Sequence, residues 1–271
     1  MAFHGMLAHA EEVATVAESA SEHQEAGIHV AIAAEKLGEF LGIPITNALV
    51  TSWVVIGLLV IFAFVFSSRL SMVPGRLQTL VEDAFSYVYD YVAETLGSRE
   101  LAHKFFPLLM TIFLFLFIGN MIHFVPGIGS IEYAGEPLLR APATDLAVPL
   151  TLALISFIVV EITGILAIGA IKYGGKFVVN PFKNPMGFAV GLVELVSELV
   201  RVISLSFRLF GNILAGEVII GVAIFFAPYL GPLPLMLFEI FIGFLQAAIF
   251  ALLTLFYIKL AIEEPHGAEA H

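Results

Sequence analysis

The chain has 271 residues, 59% of them hydrophobic and only 13% charged, with a mean hydropathy of +0.98. A soluble globular domain carries about 25% charged residues, so the composition excludes a cytosolic enzyme and marks a polytopic membrane protein. The net charge of −11, from 12 Lys+Arg against 23 Asp+Glu, argues against nucleic acid as a partner, and the lack of cysteine excludes disulfides, thiolate metal sites and a cysteine nucleophile.

Residues 1–43 hold seven Glu and one Lys. They lack the basic start and apolar run of a secretory signal. They read as an acidic tail, with a short amphipathic helix expected over residues 28–43 (IHVAIAAEKLGEFLGI). His4, His9, His23 and His29 fall in this tail and read as solvated side chains rather than metal ligands.

A first span is expected from Ile45 to Phe66, since about 20 apolar residues cross the hydrocarbon. Residues 77–102 mix apolar positions with Glu82, Asp83, Asp90, Glu94 and Glu100, the pattern of an amphipathic helix on the membrane surface or against a partner. A second span is expected over 105–125, a Pro/Gly loop over 126–145, a third span with Glu161 over 146–171, and a basic loop with Lys172, Lys176 and Lys183 over 172–186. His103 and His123 lie near the ends of the second span and do not form a haem pair.

From Met186 to Ala227 there is no proline. One helix of that length would extend about 63 Å at 1.5 Å per residue, against about 30 Å of hydrocarbon. It must tilt steeply, break, or project. A turn at Pro228–Pro234 and a further proline-free stretch, Leu235–Glu264, complete a long helical hairpin. The expected architecture is thus all-α: five membrane helices plus an amphipathic helix, divided into a tail at 1–43, a membrane domain at 44–264 and a C-terminal tail at 265–271.

Lys and Arg concentrate in the first and third connections (Arg69, Arg76, Arg99, Lys104; Lys172, Lys176, Lys183), whereas the second has Arg140 alone and the fourth none. The positive-inside rule then places the N-terminus outside and the C-terminus in the cytoplasm. No inverted repeat of the secondary-transporter kind is evident. Gly169–Lys176 lacks Walker spacing, so no nucleotide site is inferred, and Gly187-x-x-x-Gly191 reads as close helix packing.

Ionisable side chains within hydrocarbon cost about 2.5–3.5 kcal/mol at the helix centre and persist where they pair, line water or bind ions. The hairpin carries Glu194, Glu198, Arg201, Arg208, Asn212, Glu217, Glu239 and Gln246. At about 100° per residue, Glu194, Ser197, Glu198, Arg201, Ser204, Arg208 and Asn212 form one polar stripe, with Glu217 on the opposite face. Glu239 and Gln246 share a face of the last helix. Arg208 has no carboxylate three or four residues away, so its partner must come from elsewhere.

Ser204–Glu217 (SLSFRLFGNILAGE) resembles the signature of subunit a of F-type ATP synthases, the membrane stator of a rotary motor. Pro142–Leu154, the Asn-Pro loop and Gln246–Ala261 resemble further family stretches, so the likeness covers roughly residues 45–262. The resemblance implies that Arg208 is the essential arginine between two proton half-channels. Glu217, Glu239, Gln246, Asn212 and Asp145 would belong to the outer half-channel, and Glu194, Glu198 and Ser204 to the inner one. Many members pair a carboxylate with a histidine where this chain has Glu217 and Glu239. The implied partners are a ring of c subunits, peripheral-stalk b subunits, the rest of the complex and the lipid bilayer of a bacterial inner membrane. No cofactor or metal is implied, and the subunit itself performs no bond chemistry. The residues alone leave open a self-contained secondary transporter or channel, or a structural subunit whose charges serve assembly.

Overall fold

Helix limits follow from caps and breakers more closely than from hydropathy. A computed structural model describes residues 36–40, 43–125, 131–133, 136–177, 185–228 and 230–263. Helix α1 spans Asn47–Ser68, α2 Arg76–Leu96, α3 Arg99–Met121, α4 Ala147–Ile168, α5 Ala170–Phe177, α6 Pro185–Phe226 and α7 Pro232–Ile262. Five of them, α1, α3, α4, α6 and α7, are long and apolar enough to cross a membrane, so the chain is an all-α polytopic membrane protein. Two short antiparallel hairpins flank the spans: β1 (Lys36–Phe40) with β2 (Ile43–Thr46), and β3 (Glu132–Tyr133) with β4 (Glu136–Pro137).

The first hairpin corrects the helix expected over 28–43, because residues 36–40 form a strand. Ile43, Ile45 and Thr46 are β-branched, and a residue before proline, here Ile43 before Pro44, is driven to extended geometry. Residues 28–35 lie outside the described residues, as do the rest of the acidic tail and residues 265–271. The first span starts at Asn47 rather than Ile45, because the Thr46 hydroxyl accepts from the Leu49 amide at 3.3 Å and caps the helix.

The amphipathic stretch ends sooner than expected. Gly97 adopts φ 66 and closes α2, and Ser98 caps α3 by accepting from the Leu101 amide at 3.4 Å. Glu100 therefore lies in the first turn of α3, where an acid suits the helix dipole. Helix α2 turns Val92 and Ala93 inward and leaves Glu82, Asp83, Asp90 and Glu94 exposed.

The third span likewise stops at Ile168. Gly169 takes φ 93, and the chain re-enters a helix, α5, where a basic loop was expected. Tyr173 on α5 folds back over Gly164 of α4 so closely that a Cβ at Gly164 would overlap the ring. The Asn-Pro part of that loop, 178–184, lies outside the described residues.

Helix α6 is unbroken over 42 residues. Of the three outcomes its length allows, breakage is thereby removed, leaving inclination or projection. Helix α7 starts with Pro232 and Pro234 in its first turn, where the missing amides are no loss.

The bundle is held by two apolar clusters. One joins Ile112 and Leu116 of α3, Ala153 of α4, Leu205, Leu209 and Ile213 of α6, and Ala247 and Phe250 of α7. The other joins Val92 of α2, Phe105 and Leu109 of α3, Val160 of α4, and Leu255 and Ile258 of α7. Polar stitches cross between helices: Thr254 donates to Ser156 Oγ at 3.4 Å, and Asn120 Nδ2 donates to the Gly243 carbonyl at 3.3 Å. The outward faces of α1 and α6 remain apolar and exposed, as in Phe64, Val193 and Phe225, which suits lipid contact.

The contact between α4 and α5 yields a direct test. Gly164→Val places a branched side chain where the Tyr173 ring lies, and overpacking costs about 1–3 kcal/mol. The variant is expected to denature at lower temperature in detergent, measured by scanning fluorimetry.

Candidate functional site

Three helices and one loop bring the site together. Near the N-terminus of α1, Asn47 and Thr51 sit four residues apart on one face and are fully buried. Asn47 Nδ2 donates to the Pro137 carbonyl at 3.4 Å, and Thr51 Oγ1 accepts from the Arg140 amide at 3.0 Å. Polar side chains at a helix end thus pin the loop that enters α4. Pro142, Ala143 and Thr144 form a buried 3-10 turn packed on α6. Arg140, projecting from this pinned loop, reaches Glu217 of α6, with Nη2 to Oε2 at 3.0 Å. The two side chains are 11% and 20% exposed, so the pair is largely shielded from solvent.

Glu239 of α7 lies beside it. Its residue is 4% exposed. Its carboxyl rests against the backbone of Gly216, where any Cβ would overlap it. The sequence Gly216–Glu217 therefore does two things in adjacent positions: glycine admits one carboxyl and glutamate supplies another. The structure so brings together Arg140, Glu217 and Glu239, one guanidinium and two carboxyls contributed by a loop, α6 and α7.

Asp145 has a visible local job, since its Oδ1 accepts from the Ala147 amide at 3.0 Å at the start of α4. Asn212 on α6 and Gln246 on α7 are half-buried. The Asn212 Nδ2 is buried with no hydrogen-bond partner among the described residues.

Arg208 stands apart from all of these. It is exposed, and its polar contact among the described residues is a long one, Nη2 to Ser204 Oγ at 3.5 Å. No carboxylate among the described residues lies within ion-pair distance of it. Nine residues separate it from Glu217, about 13.5 Å along the axis and about half a turn around it. Between them α6 buries Leu205, Leu209 and Ile213 in the bundle core. Arg208 and Glu217 thus flank opposite edges of the buried face, and the exposed surroundings of Arg208 are apolar, with Ile203 and Phe207 outward.

The polar stripe read from helical angles divides in the structure. Ser197, Ser204 and Arg208 are exposed, Glu194 is half-buried, and Glu198 is 5% exposed and turned into the bundle. Glu198 shares its surroundings with Tyr173 and Arg201, and the Arg201 guanidinium stacks over the Tyr257 ring at 4.1 Å. Glu161, solitary in the sequence, lies near the Tyr173 hydroxyl. Burial first, then the Glu161 and Glu198 charges, push the Tyr173 hydroxyl above its usual range. Beside this cluster a cavity of about 10 Å³, lined by Ser156, Val160, Arg201 and Tyr257, has room for about one water.

Sequence reasoning missed Arg140 as a site residue and Tyr173 altogether. Arg140 was available as the lone cation of its loop, but its partner is 77 positions away. Nothing in the local pattern links the two.

The ATP synthase A chain family matches residues 49–259. The chain is 33% identical to ATP synthase subunit a of Geotalea daltonii over 222 residues, covering 81% of this chain and 89% of that protein. It is 36% identical to ATP synthase subunit a of Campylobacter concisus over 206 residues, covering 76% and 85% respectively. It is also 36% identical to that of Campylobacter jejuni over 211 residues, covering 76% and 87%. With five membrane-spanning helices and a match across most of its length, the chain belongs to the subunit a family of F-type ATP synthases and so to the ATP synthase complex.

Proposed function

We propose that this subunit supplies two proton half-channels to a ring of c subunits and that Arg208 separates them. The observation that carries the reading is the exposed Arg208 guanidinium, set among apolar side chains on a membrane helix with no carboxylate partner among the described residues. A charge so placed is costly unless another polypeptide supplies its counterion. A membrane-embedded carboxylate on each ring subunit has the chemistry to do so.

In this reading the acidic N-terminus and the Arg140 loop face outward, and α2, α5 and the C-terminus face the cytoplasm. The Lys/Arg bias of the loops supports that orientation. Protons enter from outside past Asp145, Glu217, Glu239, Asn212 and Gln246 and neutralise a ring carboxylate, which then turns into lipid. After most of a revolution the carboxyl meets Arg208. At about 4 Å and an effective dielectric near 20 the attraction is about 4 kcal/mol, enough to shift a carboxyl by about three pKa units. The proton leaves towards the cytoplasm beside Ser204, Glu194 and Glu198. The gradient supplies about 2.3 kcal/mol per charge per 100 mV. Peripheral-stalk b subunits would hold the stator against the torque. A guanidinium suits the separating position better than an amine, because lysine loses its proton readily when desolvated.

Arg208→Ala is expected to abolish ATP-driven proton pumping in inverted membrane vesicles while the complex still assembles on native gels. Normal pumping by that variant would overturn the reading. Gly216→Ala tests the outer site. The Glu239 carboxyl is the end of a flexible chain and can swing aside from a new methyl, so the complex should assemble normally. Pumping should fall several-fold, because the carboxyl is displaced from its seat.

A further inference from the structure

We propose that the turn between α1 and α2 binds one anionic phospholipid, its phosphate held by Arg69 and Arg76 and its two acyl chains laid along α1 on either side of a phenylalanine ridge. The inference is independent of the half-channels. It starts from how the two helices part. Helix α1 packs on α3, and α2 packs on α3 and α7, so α1 and α2 diverge from a shared turn. The turn itself is braced. The Ser71 amide donates to Gln78 Oε1 at 3.3 Å, Gln78 Nε2 donates to the Ser71 carbonyl at 3.2 Å, and the Ser71 hydroxyl donates to the Val73 carbonyl at 2.7 Å.

Two clefts open from it. One, of about 720 Å³, runs from Arg69 and Arg76 along Val65, Ile61 and Leu58 of α1. The other, of about 490 Å³, lies between Leu59 of α1 and Val81 and Phe85 of α2. Phe62 and Phe66 line both clefts and stack on one another at 5.9 Å, so they form the ridge that the clefts share. Depth decides the occupant. Leu58 to Arg69 is about 16 Å along the helix at 1.5 Å per residue, half of the roughly 30 Å hydrocarbon. The clefts thus reach one leaflet deep. An acyl chain matches that depth, whereas a partner's membrane helix would need a groove along the whole span.

Charge selects the headgroup. Arg69 and Arg76 are exposed, both line the larger cleft, and neither has a carboxylate within ion-pair distance among the described residues. Glu82, the acid lining the smaller cleft, accepts from Gln78 Nε2 at 2.7 Å. Leu70, Met72, Val73 and Leu77 surround the arginines and are exposed and apolar, which sets the turn where acyl chains meet headgroups. Guanidinium groups take phosphate oxygens through charge-assisted hydrogen bonds. A zwitterionic headgroup brings its own cation, so two arginines without carboxylate partners favour a lipid of net negative charge.

The test is photolabelling of the intact ATP synthase complex in mild detergent, with phosphatidylglycerol or phosphatidylcholine bearing the same photoreactive acyl chain, mapped by mass spectrometry. Phosphatidylglycerol should label residues 58–66 and 81–85. Unlabelled phosphatidylglycerol should displace it, while phosphatidylcholine and inorganic phosphate should not. Arg69→Gln and Arg76→Gln should each weaken the labelling about fivefold, and the combined variant about thirtyfold. Arg69→Lys/Arg76→Lys should keep most of it, since an ammonium also binds phosphate. The competition needs no variant, so it decides the matter even where the glutamine variants fail to assemble. Equal labelling by the two lipids, displacement by inorganic phosphate, full labelling of the combined glutamine variant, or a lysine variant as weak as glutamine overturns the inference. So does a photoreactive amino acid in place of Ile61 that crosslinks to another subunit rather than to phosphatidylglycerol.

Discussion

A charge at membrane depth needs a counterion, and how each charge on the α6–α7 hairpin meets that need organises this structure. Glu217 meets it with Arg140, at 3.0 Å, from a loop. Arg201 meets it in part with the face of Tyr257 and the neighbourhood of Glu198. Arg208 meets it with nothing the chain itself provides among the described residues, beyond a 3.5 Å contact to Ser204. Breaking an existing buried pair costs several kcal/mol, because a charge is left uncompensated. Arg208 faces outward, and in the proposed function its counterion comes from a partner.

The compensation of Glu217 depends on structure far from it. Arg140 reaches Glu217 from a segment that the buried Asn47 and Thr51 hold by hydrogen bonds at the start of α1. Unsatisfied buried amides and carbonyls are expensive, so these hydrogen bonds hold the loop as firmly as packing does. The 3-10 turn that follows, Pro142–Thr144, is wedged between α1, α3 and α6. The first span thus contributes to the acidic site without placing a titratable group in it.

Much of this was legible in the sequence. The five spans, the amphipathic helix and the 42-residue length of a proline-free α6 followed from apolar runs and the positions of prolines, which act locally, whereas its being unbroken is a finding of the structure. Caps refined the ends: Thr46, Gly97, Ser98 and Gly169 moved boundaries by a few residues each. The strand at Lys36–Phe40 was hidden because its pattern also fits a short helix, and only pairing with Ile43–Thr46 decides between them. The site was legible by type and not by partner. Helical angles put Glu198 on the Arg208 stripe, yet the bundle axis lies on that side, so Glu198 is buried while Arg208 is exposed. Angles fix where residues stand relative to one another; which direction faces the core is set by the other helices. Arg140–Glu217 and Glu161–Tyr173 are tertiary pairings, invisible to any local pattern.

The uninterrupted α6 also bears on why the two half-channels of the proposed function do not merge. Arg208 and Glu217 are fixed on one rigid rod, nine residues apart, and cannot approach one another without breaking it. On the inner side of α6, Leu209 and Ile213 lie between them and Leu205 just beyond Arg208, all 5% exposed or less. Close packing of this kind leaves no room for a water file. In the proposed function, a proton delivered near Glu217 therefore meets packed apolar side chains on the inner face of α6. Its remaining path runs around the outside of α6, where the chain presents apolar surface and a guanidinium. A proton does not travel unaided over either, so it must be carried as a neutral acid on something that moves across that face. In the proposed function, the unbroken α6, the packing of its inner side and the outward position of Arg208 all suit the same arrangement, a mobile carboxyl supplied by a neighbour.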